Sequence, residues 1–335
     1  MTTTAVRPTV PASRNRTGET ARLVAAAAVV VVIAVASIFV GVSDVSLPAL
    51  LANDAGAWEI FWVSRVPRTV AVVLAGMAVA VAGLIMQLMA RNRFVEPSTV
   101  GTVESATLGI LVVTVLAPDS PIPTKMLVAS VFAVLGTALF LAILRRLPAR
   151  NTLLIPLVGI MLGGIIAAVT TFFAYRFDLL QTLSNWMIGD FSGVLRGRYE
   201  LLWIVAVLVL VGLFAADRFT VAGMGQDFTT NLGLNYARTM RLGLMIVSLI
   251  SAVVVTTVGA VPFLGLVVPN IVSLLFGDNL RRAVPWTALF GAAFVLVCDI
   301  IGRTIRFPYE VPVGMVMSVL GAILFLFLLL RKRNA

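Results

Sequence analysis

No histidine and only one cysteine, Cys298, occur in these 335 residues. Their scarcity removes the ligands of ordinary zinc, haem and iron–sulfur sites, and with them the imidazole base of histidine-dependent nucleophilic catalysis. A lone thiol excludes any disulfide within the chain. Lysine is almost as rare: Lys125 and Lys332 are the whole supply, and neither closes a GxxxxGK[ST] loop. The chain therefore carries no standard phosphate-cradling nucleotide site, and if ATP is used another subunit must hold it. Charged residues are only 12% of the composition, and they gather in the gaps between long apolar runs.

Ten such runs stand out, at 23–42, 69–90, 105–118, 126–144, 152–175, 201–216, 242–261, 262–277, 283–298 and 311–330. A bilayer core takes about 20 helical residues, fewer where a helix is broken or shielded by neighbours. The pattern specifies an all-α polytopic membrane protein with about ten transmembrane helices. Residues 242–277 carry no charge across a length too great for one crossing, and Gly259 with Pro262 supplies the break. The first run follows a polar tail and is longer than the core of a cleavable signal, so a retained first helix is expected.

Charge placement sets an orientation. An even number of spans puts both termini on one side, and both ends are basic, with Arg7, Arg14, Arg16 and Arg22 before the first span and Arg331, Lys332 and Arg333 after the last. Of the 25 Lys and Arg residues, 17 fall on the side of the termini and 8 on the other. Positive loops stay in the cytoplasm, which places both termini in the cytoplasm of an inner-membrane protein. The net charge of +10 is thus an insertion signal and gives no reason to expect nucleic-acid binding. Three segments result: a cytoplasmic tail at 1–22, a transmembrane domain at 23–330 and a short cytoplasmic tail at 331–335.

Few ionisable groups lie in or beside the spans. Glu96 and Glu104 flank Pro97 and Gly101 near a basic loop, where both interfacial and buried positions are open. Asp299 and Arg303 share a helix face by their i to i+4 spacing, which reads as a local ion pair. The segment Pro156 to Gly163 is faintly echoed by Pro312 to Gly321, and Pro97 and Pro269 interrupt segments in corresponding halves, as in transporters built from inverted repeats. Gly159 and Gly163, like Gly76 and Ala80, have the small-xxx-small spacing of close helix packing. Between Leu179 and Gly189 an apolar stretch with Trp186 is too short to cross and suits a helix lying on the outer interface.

One cytoplasmic loop differs from the rest. Residues 217–241 are long enough for helical elements, set Phe228 and Leu232 on one face and are punctuated by Gly223, Gly225 and Gly233. A compact, partly apolar element on the basic side reads as a docking surface, or as an ordinary amphipathic helix at the interface.

Taken together, Arg65-Val-Pro-Arg68, Gly83-Leu-Ile-Met-Gln87, Arg91-Asn-Arg-Phe-Val-Glu-Pro97, Val100-Gly101, the Gly225 to Gly233 loop, Pro262-Phe-Leu-Gly-Leu-Val-Val-Pro-Asn270 and Glu310-Val-Pro-Val-Gly314 resemble the iron-siderophore and cobalamin permeases of ABC importers, the FecCD type. The resemblance covers roughly residues 60 to 330. It implies a type II importer architecture with ten helices per subunit, two permease subunits around a central path, two cytoplasmic ATPases that carry ATP and magnesium, and an external binding protein that delivers the chelate. It implies that the 217–241 loop couples to the ATPase, with Gly225, Gln226, Phe228, Leu232, Gly233 and Arg238 at the contact; relatives more often have Glu where Gln226 stands. It also implies that Arg65, Arg68 and Arg303 meet acidic residues of the binding protein, a pairing suited to guanidinium forks. Gly159, Pro312 and Gly314 match helices that line the path. Asn270, where many relatives have His, and the 91–102 segment resemble a subgroup that carries catechol-type ferric siderophores and pairs with a second, different permease. The competing expectation is an ion-coupled secondary carrier dependent on Asp299 or Glu104.

Overall fold

The computed structural model describes residues 16–41, 46–146, 154–277 and 279–332. Arg7 and Arg14 of the N-terminal tail, Arg150, Asp278 and Arg333 lie outside the described residues. Each of the ten apolar runs forms a helix: α1 (Arg16–Ile38), α2 (Val66–Met89), α3 (Thr102–Leu116), α4 (Ile122–Arg146), α5 (Leu154–Arg176), α6 (Leu202–Phe214), α7 (Tyr236–Val258), α8 (Leu264–Phe276), α9 (Leu280–Thr304) and α10 (Val313–Lys332). Seven are long and apolar enough to cross a bilayer; α6 reaches that length with Ala216–Gly223, across a 61° bend, and α3 and α8 are shorter. Among the described residues there is no β-strand, only an isolated bridge between Ile188 and Ala260. The short outer helix appears at Leu180–Met187, with Leu183 turned inward.

α2 is the axis of the bundle. In its most apolar window 83% of residues are buried, against 11% for α1, so α2 is enclosed by protein while α1 faces outward. Its Ala, Gly and Val content explains the position, because small side chains let backbones approach closely. A Cβ on Gly76 would come within 2.7 Å of Gly291 O on α9, and one on Gly83 would collide with the Gly265 backbone of α8.

At two prolines, Pro67 and Pro269, the carbonyl freed within the helix finds a donor elsewhere. Pro67 has no N–H to offer Val63 O, four residues back; the backbone N–H of Arg196 takes that oxygen at 2.9 Å. The turn just before, Phe61–Arg65, is π-helical. Inside α8, Pro269 likewise frees Gly265 O. The Gln87 side-chain amide donates to Gly265 O at 3.1 Å and to Leu266 O at 3.3 Å. In a low-dielectric interior an unpaired carbonyl is costly, so Gln87 is what allows a proline-bearing helix to sit against α2.

The helices extend beyond several of the apolar runs, and α7 does so into the 217–241 loop. The loop assigned to 217–241 ends earlier, because Asn235 caps α7 by accepting the Arg238 N–H at 3.0 Å. Arg238 and Arg241 therefore belong to the first turns of a helix.

Candidate functional site

At one end of the bundle two of the three arginines expected as docking forks, Arg68 and Arg303, converge on Asp299, and Arg65 bonds the neighbouring Val40 O. Arg68 is carried on the first turn of α2, Arg65 on the π-turn before it, and Arg303 and Asp299 on the last turns of α9. Asp299 is fully buried. Its Oδ1 accepts Arg68 Nη2 at 2.8 Å and Nε at 3.2 Å, and its Oδ2 accepts Arg303 Nη2. The i to i+4 pair read from sequence is present, but it is one half of a bridge to α2. Arg68 Nη1 donates to Glu310 Oε2 at 2.7 Å, on the linker between α9 and α10.

The arginines thus face inward, each less than a tenth exposed. A guanidinium at a span end is desolvated, and it persists there by pairing within the chain. α1 supplies further acceptors. Arg303 Nη1 donates to Ser37 O at 2.9 Å and Val40 O at 2.8 Å, its Nη2 to Ser37 Oγ at 2.8 Å, and Arg65 Nη1 to Val40 O at 2.7 Å. These oxygens lie at the C-terminus of α1, where unsatisfied carbonyls carry partial negative charge. The cluster therefore clips the least buried helix onto α2 and α9. Asp299 as a hub, Glu310 and Ser37 were missed as a group in the sequence, since their separations give no local pattern; only the Asp299–Arg303 spacing was a signal.

At the other end, the 217–241 loop folds into helices Ala216–Gly223 and Gln226–Asn231. Gly225, at φ 118°, takes a conformation that strains any residue with a Cβ, and the Arg91 guanidinium sits where that Cβ would stand. Thr229 is buried, its hydroxyl donating to Val221 O at 3.0 Å and to Gly225 O at 2.5 Å. That inward anchor turns Gln226, Phe228 and Leu232 to the surface; Phe228 and Leu232, with Met224, present an exposed apolar face. Gly233 adopts φ 76° with open space around it.

The pathway residues fall in two separate places. Gly159 is buried on α5, and its carbonyl lies 3.6 Å from a Cβ built on Gly101, the left-handed residue that opens α3. Gly314 N donates to Gly189 O at 2.7 Å, while Pro312 starts the turn into α10 by accepting the Met315 N–H at 3.0 Å. The two interrupted segments also meet, since a Cβ on Gly265 would press on the Pro97 ring. Asn270 bonds Arg93 O at 2.8 Å and Leu266 O at 2.7 Å, tying α8 to the 91–101 segment.

Glu96 is half-buried; its Oε1 accepts the Ser98 hydroxyl at 2.6 Å. Burial raises its pKa, offset in part by that bond and by one from the Phe263 backbone. Glu104 lies beside Gly163 on α5. Among the described residues no three His, Cys, Asp or Glu side chains converge as metal ligands would.

Comparison with known proteins adds sequence-wide support. A model described as the FecCD transport family matches residues 26–331. The chain is 48% identical over 303 residues to the petrobactin import system permease protein YclN of Bacillus subtilis, covering 90% of this chain and 96% of that one. It is 42% identical over 299 residues to the ferric-anguibactin transport system permease protein FatD of Vibrio anguillarum, covering 89% and 95%. A solved structure titled as an inward-facing putative metal-chelate type ABC transporter superposes with a TM-score of 0.80 at 22% identity, covering 93% of this chain and 99% of that one.

Proposed function

The chain belongs to the FecCD transport family, and on that premise we propose that it passes a ferric siderophore, petrobactin and anguibactin being those its relatives are named for, from an external binding protein into the cytoplasm. It is a multi-pass membrane permease of an ABC importer and a transport subunit rather than an enzyme. Such a permease works with ATPase and substrate-binding partners.

The observation that carries the mechanism is the shape of the 217–241 loop. Buried Thr229 pins its underside, and Phe228 and Leu232 stand exposed beyond the end of the spans. An apolar pair presented outside a bilayer fits a cleft in a second protein. We read Gly225, Gln226, Phe228, Leu232, Gly233 and Arg238 as the ATPase contact, with ATP and magnesium held on those partner subunits. Closure of the ATPases then moves the loop and switches the path past Gly159, Pro312 and Gly314 between outward-open and inward-open states. Both termini face the cytoplasm in this reading, and the second permease is a different chain. The siderophore keeps its iron wrapped, so the permease needs no metal ligands.

At the opposite end the arginine cluster receives the binding protein. Arg303 is the least exposed of the three and anchors the cluster through Asp299, Ser37 and Val40, whereas Arg68 and Arg65 stand nearer the surface and supply the attraction. Reconstitution in vesicles with the partner permease, the ATPases and the binding protein tests the function. ATP-dependent accumulation of the ferric siderophore is expected; uptake by this chain alone, driven by a proton or sodium gradient, would establish the secondary-carrier reading instead.

A further inference from the structure

The most exposed side chain bonded to Arg68 or Arg303 among the described residues is Glu310. Arg68 spends Nε and Nη2 on Asp299, which is wholly enclosed. Arg303 is engaged by Ser37, Val40 and Asp299 with a side chain only 1% exposed. The remaining donor of Arg68, Nη1, points to Glu310 at 2.7 Å, and the Glu310 side chain is 28% exposed. An outside carboxylate can approach Arg68 Nη1 at the position that Glu310 holds.

We propose that Glu310 is a built-in competitor at the docking site, an internal carboxylate that occupies Arg68 Nη1 until an acidic side chain of the binding protein displaces it. The proposal rests on the docking reading above and adds how that contact is kept reversible. Exchange of one carboxylate for another conserves the charge-assisted bond at Arg68, and Glu310, already partly in water, leaves at little desolvation cost. Asp299 is a positioning residue in this scheme: it bonds two donors of the fork and fixes the direction in which the third is offered. The result is a site whose net attraction stays modest and salt-sensitive, as suits a partner that must dock, deliver and leave.

The test is the affinity of the purified, fluorescently labelled binding protein of the same importer for the complete transporter in lipid nanodiscs, at low and high salt. Glu310→Gln is expected to tighten association about two- to fivefold at low salt, the worth of a partly exposed ion pair, and Glu310→Ala to tighten it likewise. Arg68→Gln is expected to weaken association; Arg68→Lys, which keeps a charge opposite Asp299 but loses the planar fork, serves if the Gln variant is not recovered folded. Weaker binding by the Arg68 variants with unchanged or weaker binding by both Glu310 variants would overturn the competitor role and leave docking intact. Tightening by Glu310→Gln alone would mean that the new amide itself contacts the partner, and would also overturn it. Unchanged binding by the Arg68 variants would remove both the docking reading and the proposal.

Discussion

Replacing Gln87 by leucine should destabilise the bundle through one specific atom. Gln87 is 7% exposed, and its amide serves two carbonyls, Gly265 O and Leu266 O. Leu266 O keeps a second donor in the Asn270 side chain at 2.7 Å, so the substitution orphans Gly265 O alone. That carbonyl lacks an in-helix partner only because residue 269 is proline. One buried unsatisfied carbonyl costs about 1–3 kcal/mol, and interhelical hydrogen bonds within membranes average about 0.6 kcal/mol with a maximum near 1.7. The expected loss is therefore about 1–2 kcal/mol.

The cause is separable by a double-mutant cycle. Pro269→Ala restores an N–H four residues beyond Gly265, and α8 can then satisfy that carbonyl internally. In the Pro269→Ala background Gln87→Leu should cost markedly less, with a coupling of about 1 kcal/mol. Equilibrium unfolding of the purified transporter in mixed detergent, followed by tryptophan fluorescence, reads all four corners. An equal cost of Gln87→Leu in both backgrounds would show that its partner is not the proline-freed carbonyl, and the account of how α8 sits against α2 would be wrong.

Asp299→Asn removes the only fully buried carboxylate of the arginine cluster and leaves Arg68 and Arg303 facing a neutral amide; a loss of about 3 kcal/mol or more is expected, seen as a lower unfolding midpoint, and a near-neutral variant would refute the hub. Gly233→Val forces a β-branched residue to φ 76° at a strain of about 1–2 kcal/mol, without a steric clash. Membrane insertion should be retained while uptake loses its stimulation by ATP, and normal uptake would count against the coupling role. Glu96 gives a pH signature. Burial raises its folded-state pKa above 4.5, so the folded chain binds its proton at higher pH than the unfolded chain does. Its contribution to stability is full below the ordinary glutamate value and is lost as pH rises through the raised one. Unfolding midpoints measured across the mildly acidic range should fall with rising pH more steeply for the native protein than for Glu96→Gln; parallel curves would refute the assignment.

The helices were legible because the bilayer imposes a simple length rule on apolar runs. Even the division of the uncharged stretch 242–277 was readable, since Gly259 and Pro262 break a helix by their own backbone chemistry, and α7 and α8 part there. What the sequence did not disclose was how side chains separated by hundreds of positions meet. Arg68 and Asp299 are 231 residues apart, and each alone reads as a residue at the end of a span. Gln87 was visible as one polar residue in an apolar run, but its purpose depends on Pro269, on another helix. The start of α7 was misplaced because hydropathy reports the apolar core of a helix, whereas the helix begins at its cap, Asn235, in polar sequence.

Charge balance decides whether the arginine cluster can serve the proposed docking as well as clasp α1. Among the described residues three guanidiniums are gathered with two carboxylates, Asp299 and Glu310. The C-terminal carbonyls of α1 add partial negative charge through their bonds to Arg65 and Arg303. A cluster balanced to zero would hold α1 equally well but would not attract an acidic partner. Neutralising Glu310 makes the local field more positive, whereas neutralising Arg65 makes it less so. Arg65→Gln should therefore reduce the salt dependence of binding-protein association while leaving Arg68 paired to Asp299. An unaltered salt slope in that variant would place the attraction elsewhere on the outer face and reduce the cluster to a purely structural clasp.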